Sequence, residues 1–133
     1  MSIFIDTSAF YALLVSTETR HEEVLQITRQ LLSERTAELW TTSYVVLETV
    51  SLLQHRIGFA PVLDFDDKIL PLVRVEWVSA SLHRRGLLRL KREGRRRLSL
   101  TDCVSFEFMK AKGIPQALAL DAHFREAGFQ CLP

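Results

Sequence analysis

Four of the sixteen acidic residues in this 133-residue chain stand where a solvated surface does not account for them. Asp6 follows the apolar run Ile3-Phe4-Ile5, and Asp121 follows Ala117-Leu118-Ala119-Leu120, which places each at the carboxyl end of a buried strand. Glu48 has Tyr44 and Val45 one helical turn before it and Leu52 one turn after, beside an apolar stripe where an unpaired charge is costly. Asp102 falls in the first turn of a helix that carries Phe106 on its next turn. Other acids, among them Glu22, Glu23, Glu34 and Asp66, lie on polar stretches and are explained by a solvated face.

Each of the four has a plainer reading. Asp6 and Asp102 could cap helices, Glu48 could pair with a core arginine, and Asp121 could shape a turn. Taken together, four carboxylates from separated segments converging on one edge repel one another unless something positive sits between them. Oxygen ligands without His or Cys suit one or two Mg²⁺ or Mn²⁺ ions and argue against zinc. Such a site activates water for in-line attack on a phosphodiester and neutralises charge on the leaving oxygen. That is hydrolytic nuclease chemistry.

The elements that must carry these acids follow from patterning. Ile3-Phe4-Ile5 reads as a strand, and Asp6-Thr7-Ser8 as the cap of a following helix. Val24, Ile27, Leu31 and Leu32 mark an amphipathic helix from His21 to Leu32. Leu39 to Thr42 predicts a second strand, with Ser43 as N-cap of a largely buried helix over Tyr44 to Arg56, ending before Gly58. A helical stretch follows Pro61, a third strand spans Val73 to Val78, and Leu82 to Arg92 is helical until Gly94. Ser99 to Asp102 matches a capping box opening a helix that Gly113 ends, and Ala117 to Leu120 is the fourth strand. The segment Phe129 to Leu132 could add a short last strand. Strands alternating with helices imply an α/β fold around a mainly parallel sheet of four or five strands, whose functional groups gather at the carboxyl ends of the strands.

Bulk composition bounds this reading. With 47% hydrophobic and 25% charged residues, the chain has the balance of a single domain over residues 1–133. The formal charge of +1 gives no whole-molecule argument for nucleic acid, membrane or acidic partners, so electrostatic recognition must be local. The apolar start is cut by Asp6 far short of a signal peptide or membrane span, so a soluble, cytoplasmic protein without membrane contact is expected. Cys103 and Cys131 lack metal or redox spacing and are read as reduced, buried thiols.

Asp6-Thr7-Ser8-Ala9, Thr42-Ser43 with Glu48-Thr49, Leu98 to Asp102, and Leu120 to Phe124 with Ala127-Gly128-Phe129 resemble, in order, the successive motifs of PIN domains. The likeness spans nearly the whole chain, and its size is similar to the VapC toxin ribonucleases of VapBC toxin–antitoxin pairs. The resemblance implies a three-layer α/β/α sandwich and a divalent-metal endoribonuclease leaving 5′-phosphate and 3′-hydroxyl ends. It also implies homodimers and inhibition by a small antitoxin protein. Residue by residue, Asp6, Glu48 and Asp102 match the three core acids, Asp121 the more variable fourth, and Ser8 and Thr101 the polar positions beside them. Ala119 departs from the pattern by replacing a hydroxyl residue two positions before Asp121.

Eight of the seventeen basic residues lie between Arg84 and Arg97, against one acid, Glu93. Arg85, Arg89, Arg92 and Arg96 follow helical spacing, so a guanidinium ridge could track RNA phosphates or meet an antitoxin's acidic segment; a solvated helix face is the plainer alternative. His21, His55, His83 and His123 share no metal-ligand spacing and are read as surface or packing residues. Trp40, Trp77 and most of the eight Phe are read as core.

Other functions fit less well. A phosphatase of the Asp-x-Asp type would need an acid where Ser8 stands, and a receiver domain would need paired acids near the first strand. A catalytically silent RNA-binding or scaffold domain of PIN type is the remaining alternative, and a DNA nuclease of this chemistry usually carries additional segments.

Overall fold

The computed structural model describes residues 1–133. Strands and helices alternate: β1 (Ser2–Ile5), α1 (Thr7–Leu14), α2 (His21–Ser33), β2 (Glu38–Thr42), α3 (Ser43–Arg56), α4 (Phe59–Asp64), β3 (Arg74–Glu76), α5 (Ala80–Glu93), α6 (Leu100–Lys112), β4 (Gln116–Leu118), α7 (His123–Glu126) and β5 (Gln130–Leu132). Between α4 and β3 the chain runs on as a π-helical turn over Phe65–Ile69 and a 3₁₀ turn over Leu70–Leu72.

All five strands pair in parallel, in the order β3-β2-β1-β4-β5. A receiver-type sheet runs 2-1-3-4-5, so this order removes that alternative. Parallel neighbours require crossover connections, and the helices that make them cover the two faces of the sheet. On one face Phe4 meets Phe108 of α6 and Phe124 of α7 at ring-centroid distances of 6.1 and 5.9 Å, and Trp40 meets Phe108 at 5.8 Å. On the other face Ile5, Leu39 and Leu118 share an apolar cavity with Phe10 and Leu13 of α1 and with Leu25 and Leu32 of α2. The alternation of Phe4 and Ile5 across β1 therefore makes three layers from one central strand.

Several boundaries differ from the pattern-based reading, and each has a local hydrogen-bonding cause. The fourth strand stops at Leu118: Ala119 N still donates to Leu132 O of β5, but Leu120 N turns away to the Ser8 hydroxyl at 3.0 Å. The third strand spans only Arg74–Glu76, since Val78 N is taken by Ser43 Oγ at 2.9 Å. That leaves Thr42, not Ser43, as the cap of α3, its side chain accepting from Val45 N. The capping box of Ser99 and Asp102 forms as expected.

Trp77 corrects the core assignment: it is 77% exposed, because β3 is an edge strand that ends one residue earlier. Six of the Phe are buried as expected, whereas Phe59 is exposed. Cys103 is a buried free thiol, and Cys131 is free but only half-buried on the edge strand β5. No helix is long and apolar enough to cross a membrane.

Candidate active site

The acids are delivered by the turns that leave the carboxyl edge of the sheet. Asp6 N donates to Leu118 O at 3.1 Å, continuing the β1–β4 ladder one residue beyond the strand and holding Asp6 at the edge. Its carboxylate caps α1: Oδ2 accepts from Ser8 N at 3.2 Å and from Ser8 Oγ at 2.7 Å. The same Ser8 hydroxyl accepts from Leu120 N, so one side chain ties the start of α1 to the loop that carries Asp121. Thr7 Oγ1 donates to Val45 O and accepts from Thr49 Oγ1, which stitches α1 to α3 on either side of Glu48.

Asp102 is anchored twice through Oδ2, by Ser99 N at 3.2 Å in the capping box and by His123 Nδ1 at 3.1 Å, with the imidazole proton on Nδ1. Asp121 Oδ1 accepts from His123 N at 3.0 Å, a local turn in which the side chain folds back on its own backbone. Potential ligand atoms of Asp102, Asp121 and His123 all lie within 4.8 Å of one another. The capping readings of Asp6 and Asp102 are borne out, and the same hydrogen bonds fix the direction in which each carboxylate points.

Asp6, Ser8, Glu48, Asp102 and Asp121 line one open cleft of about 530 Å³, together with Thr7, Tyr11, Glu18, Leu52, Arg56, Ser99, Leu120 and His123. Burial dominates its electrostatics. The Asp6 carboxyl is 3% exposed and is pushed up from 3.8 to about 7, chiefly by desolvation and further by the charges of Asp121 and Asp102, against the pull of the Ser8 hydroxyl. Glu48 is raised by burial and by Asp102 and Asp121, with the Thr7 and Thr101 hydroxyls opposing. Asp121 is raised by desolvation in the cleft and by Asp102, with the His123 amide opposing. Asp6, Glu48 and Asp121 each feel the charge of Asp102, and Asp6 and Glu48 feel that of Asp121 as well.

The family model of the PIN domain matches residues 3–130. This chain is a PIN domain. Along 128 residues it is 35% identical to the 23S rRNA-specific endonuclease VapC20 of Mycobacterium tuberculosis, covering 96% of this chain and 95% of that protein. The crystal structure of M. tuberculosis VapC20, a sarcin–ricin-loop-cleaving toxin, matches with a TM-score of 0.85 at 34% identity, over 96% of this chain and 95% of that one. FitAcB from Neisseria gonorrhoeae matches at 16% identity with a TM-score of 0.71, over 100% and 97% of the two chains, which is likeness of fold.

Two residues of this PIN domain's cleft escaped the sequence reading. His123 reaches Asp102 only because α7 folds back across the first turn of α6, though its place two residues after Asp121 was a signal. Arg56 is the one arginine or lysine lining the cleft; it sits two turns after Glu48 on α3, its guanidinium 5.6 Å from the Tyr11 ring centroid. Thr101 lies on the far side of Glu48, in a neighbouring cavity.

None of Arg85, Arg89, Arg92 and Arg96 lines the cleft, and they do not form one ridge. Arg89 turns inward, its side chain 14% exposed, bonded to Glu107 at 2.9 Å and stacked 4.9 Å from the Phe106 ring centroid. Arg96 lies beyond the end of α5, which Gly94 terminates in the left-handed region. Arg85 and Arg92 remain exposed on the helix.

Proposed function

We propose that this PIN domain is an endoribonuclease that hydrolyses RNA phosphodiester bonds with one or two Mg²⁺ or Mn²⁺ ions. The observation that carries the reading is the convergence of Asp6, Glu48, Asp102 and Asp121 from four separate segments on one cleft, with Asp6 lifted to about 7. A donor set dominated by mutually repelling carboxylates, with the His123 imidazole beside Asp102 and Asp121, fits a hard divalent cation.

Asp6, Glu48 and Asp102 would hold such an ion, and Asp121 would position a second ion or the attacking water. When bound, Mg²⁺ or Mn²⁺ supplies Lewis acidity, making water a better nucleophile and neutralising charge on the leaving oxygen. The chain's own residues do the positioning. Ser8 fixes the Asp6 carboxylate, Thr101 stands beside Glu48, and His123 holds Asp102 as hydrogen-bond partners hold metal-binding carboxylates elsewhere. Arg56 at the cleft wall would take a phosphate of the strand being cut.

The test is cleavage of 23S rRNA, a structured RNA pool and matched DNA by the purified protein with Mg²⁺, Mn²⁺ or EDTA. RNA cleavage that disappears with EDTA, leaving 5′-phosphate ends, is expected; RNA bound but uncut in every metal would replace the enzyme with the scaffold reading. The rRNA arm follows from the name of the 35% identical relative. Within the same assay, Ser8→Ala is expected to lower the rate about 10- to 100-fold while the protein still folds, because it frees the Asp6 carboxylate and leaves Leu120 N unpaired. A rate equal to wild type would remove Ser8 from the site.

The toxin character of VapC20 leads us to place this chain in a toxin–antitoxin pair acting on cytoplasmic RNA, as a homodimer held in check by a small antitoxin. The exposed arginines of α5 and the following loop, Arg85 and Arg92 among them, would contact RNA or the antitoxin's acidic residues. Co-purification of a small protein encoded beside this chain, with cleavage inhibited in the complex, tests the pair.

A further inference from the structure

Glu48 is a wall shared by two cavities. One is the acid cleft; the other, about 290 Å³, is lined by Tyr44, Leu47, Glu48, His83, Leu100 and Thr101. Its walls come from the first two turns of α3, the first turn of α6 and α5, so the helices that deliver Glu48 and Asp102 also build this second cavity. Tyr44 and His83 are locked together: the phenol oxygen and Nδ1 are 2.5 Å apart, and the rings stand edge to face at 75° with centroids 5.8 Å apart. Both rings are only partly buried, and Leu47 is 66% exposed.

We propose that this cavity receives one unpaired nucleobase of the RNA strand, adjacent to the phosphate held over the acids. The proposal rests on the endoribonuclease reading given above. Sequence-specific RNA recognition works on splayed bases that stack on aromatic side chains and hydrogen-bond along their edges. Here the pre-oriented Tyr44–His83 pair and the two leucines supply the stacking and apolar surfaces. The Thr101 hydroxyl and the Glu48 wall supply polar groups for a base edge. Continuity through Glu48 confines the occupant to a nucleotide next to the scissile bond.

The test uses a short single-stranded RNA with one cleavage site, and a series of the same RNA with an abasic nucleotide at each position flanking that site. Single-turnover kcat/KM is measured for wild type, Tyr44→Phe, Tyr44→Ala and His83→Ala. Affinity is measured in parallel in an Asp6→Asn background. At one flanking position the abasic RNA is expected to cost wild type about 5- to 150-fold, the range of one base–aromatic stack. Tyr44→Ala should lose a similar factor on the parent RNA and nothing further on that abasic RNA, while Tyr44→Phe keeps most of the effect. Losses that multiply at every position, or no loss, would overturn the base site. So would variants that change only the oligomeric mass in sedimentation, which would make the cavity a contact between copies. If Tyr44→Ala fails to fold by thermal melting, His83→Ala carries the same comparison. Should wild type cut no RNA, the endoribonuclease reading fails by itself, and the affinity series still decides whether a base is bound.

Discussion

Replacing Asp6 with asparagine is expected to abolish cleavage and, in the absence of metal, to make the protein more stable. The carboxyl that would hold the ion is buried to 3% exposure and raised from 3.8 to about 7. Below about pH 4 the group is protonated in both folded and unfolded chains and contributes no difference. Between about 4 and 7 only the unfolded chain releases the proton, so the unfolded state binds fewer protons and stability falls as pH rises. Above about 7 the penalty is complete. Some three pH units correspond to an upper bound of about 4 kcal/mol at 1.36 kcal/mol per unit, or roughly 14 °C in Tm for a chain of this size. Asparagine keeps an oxygen to accept from Ser8 N, so the cap of α1 survives while the charge is lost. Melting curves in EDTA should therefore converge near pH 4, differ by part of the penalty at pH 5 and separate fully at pH 8, with Asp6→Asn the more stable. Adding Mn²⁺ should raise the Tm of wild type alone, because binding only to the folded state stabilises it. Cleavage should fall on the order of a thousandfold or more. Curves that run in parallel at every pH would remove the desolvated carboxylate from the argument.

The same burial explains why the acids could be read from the chain at all. Asp6 was visible because a carboxylate directly follows three apolar residues, and the structure extends the β1–β4 ladder through its amide. Asp102 was visible through its capping box, and Glu48 through its position against an apolar helix face. The parallel order of the sheet followed from strand–helix alternation, since parallel neighbours need crossovers. Sequence patterns of this kind are local, and what they miss is set by tertiary hydrogen bonds. Leu120 N chooses the Ser8 hydroxyl over a strand partner, and Val78 N chooses Ser43. Each shortens a strand that composition alone would extend.

Charge patterns proved less legible than apolar ones. Helical spacing put Arg85, Arg89 and Arg92 on neighbouring turns, but spacing does not say which turn faces a partner helix. Glu107 on α6 draws Arg89 inward, while Gly94 breaks the helix before Arg96. Arg56, by contrast, has no arginine or lysine near it in sequence and reaches the cleft only because α3 brings it two turns past Glu48. His123 likewise needed the return of α7 over α6 before its imidazole could meet Asp102. Trp77 read as core because its run is apolar, yet an edge strand that stops at Glu76 leaves it outside the sheet.

Gly86→Ala sets helix propensity against packing, and packing is expected to win. In an exposed helix interior alanine is favoured over glycine by about 1 kcal/mol. Gly86, however, is buried where α5 crosses α6, and an added Cβ would stand 2.4 Å from Val104 Cγ2 and 3.1 Å from both the Cα and the N of Val104. A rotamer change could relieve the first contact but not the two backbone contacts, so the helices must move apart. Overpacking of this sort costs about 1–3 kcal/mol, which against that gain leaves a net loss of about 1 kcal/mol and lowers Tm by roughly 4 °C. Because Asp102 precedes Val104 by two residues on α6, the displacement reaches the carboxylate cluster, and cleavage should fall together with stability. Pairing Gly86→Ala with Val104→Ala removes the Cγ2 clash, so the double variant should melt above the sum of the two single losses. Calorimetry of the four proteins decides the point: a Gly86→Ala protein that melts higher than wild type would mean that α5 and α6 do not meet at this glycine, and the α6 placement of Asp102 would lose its support.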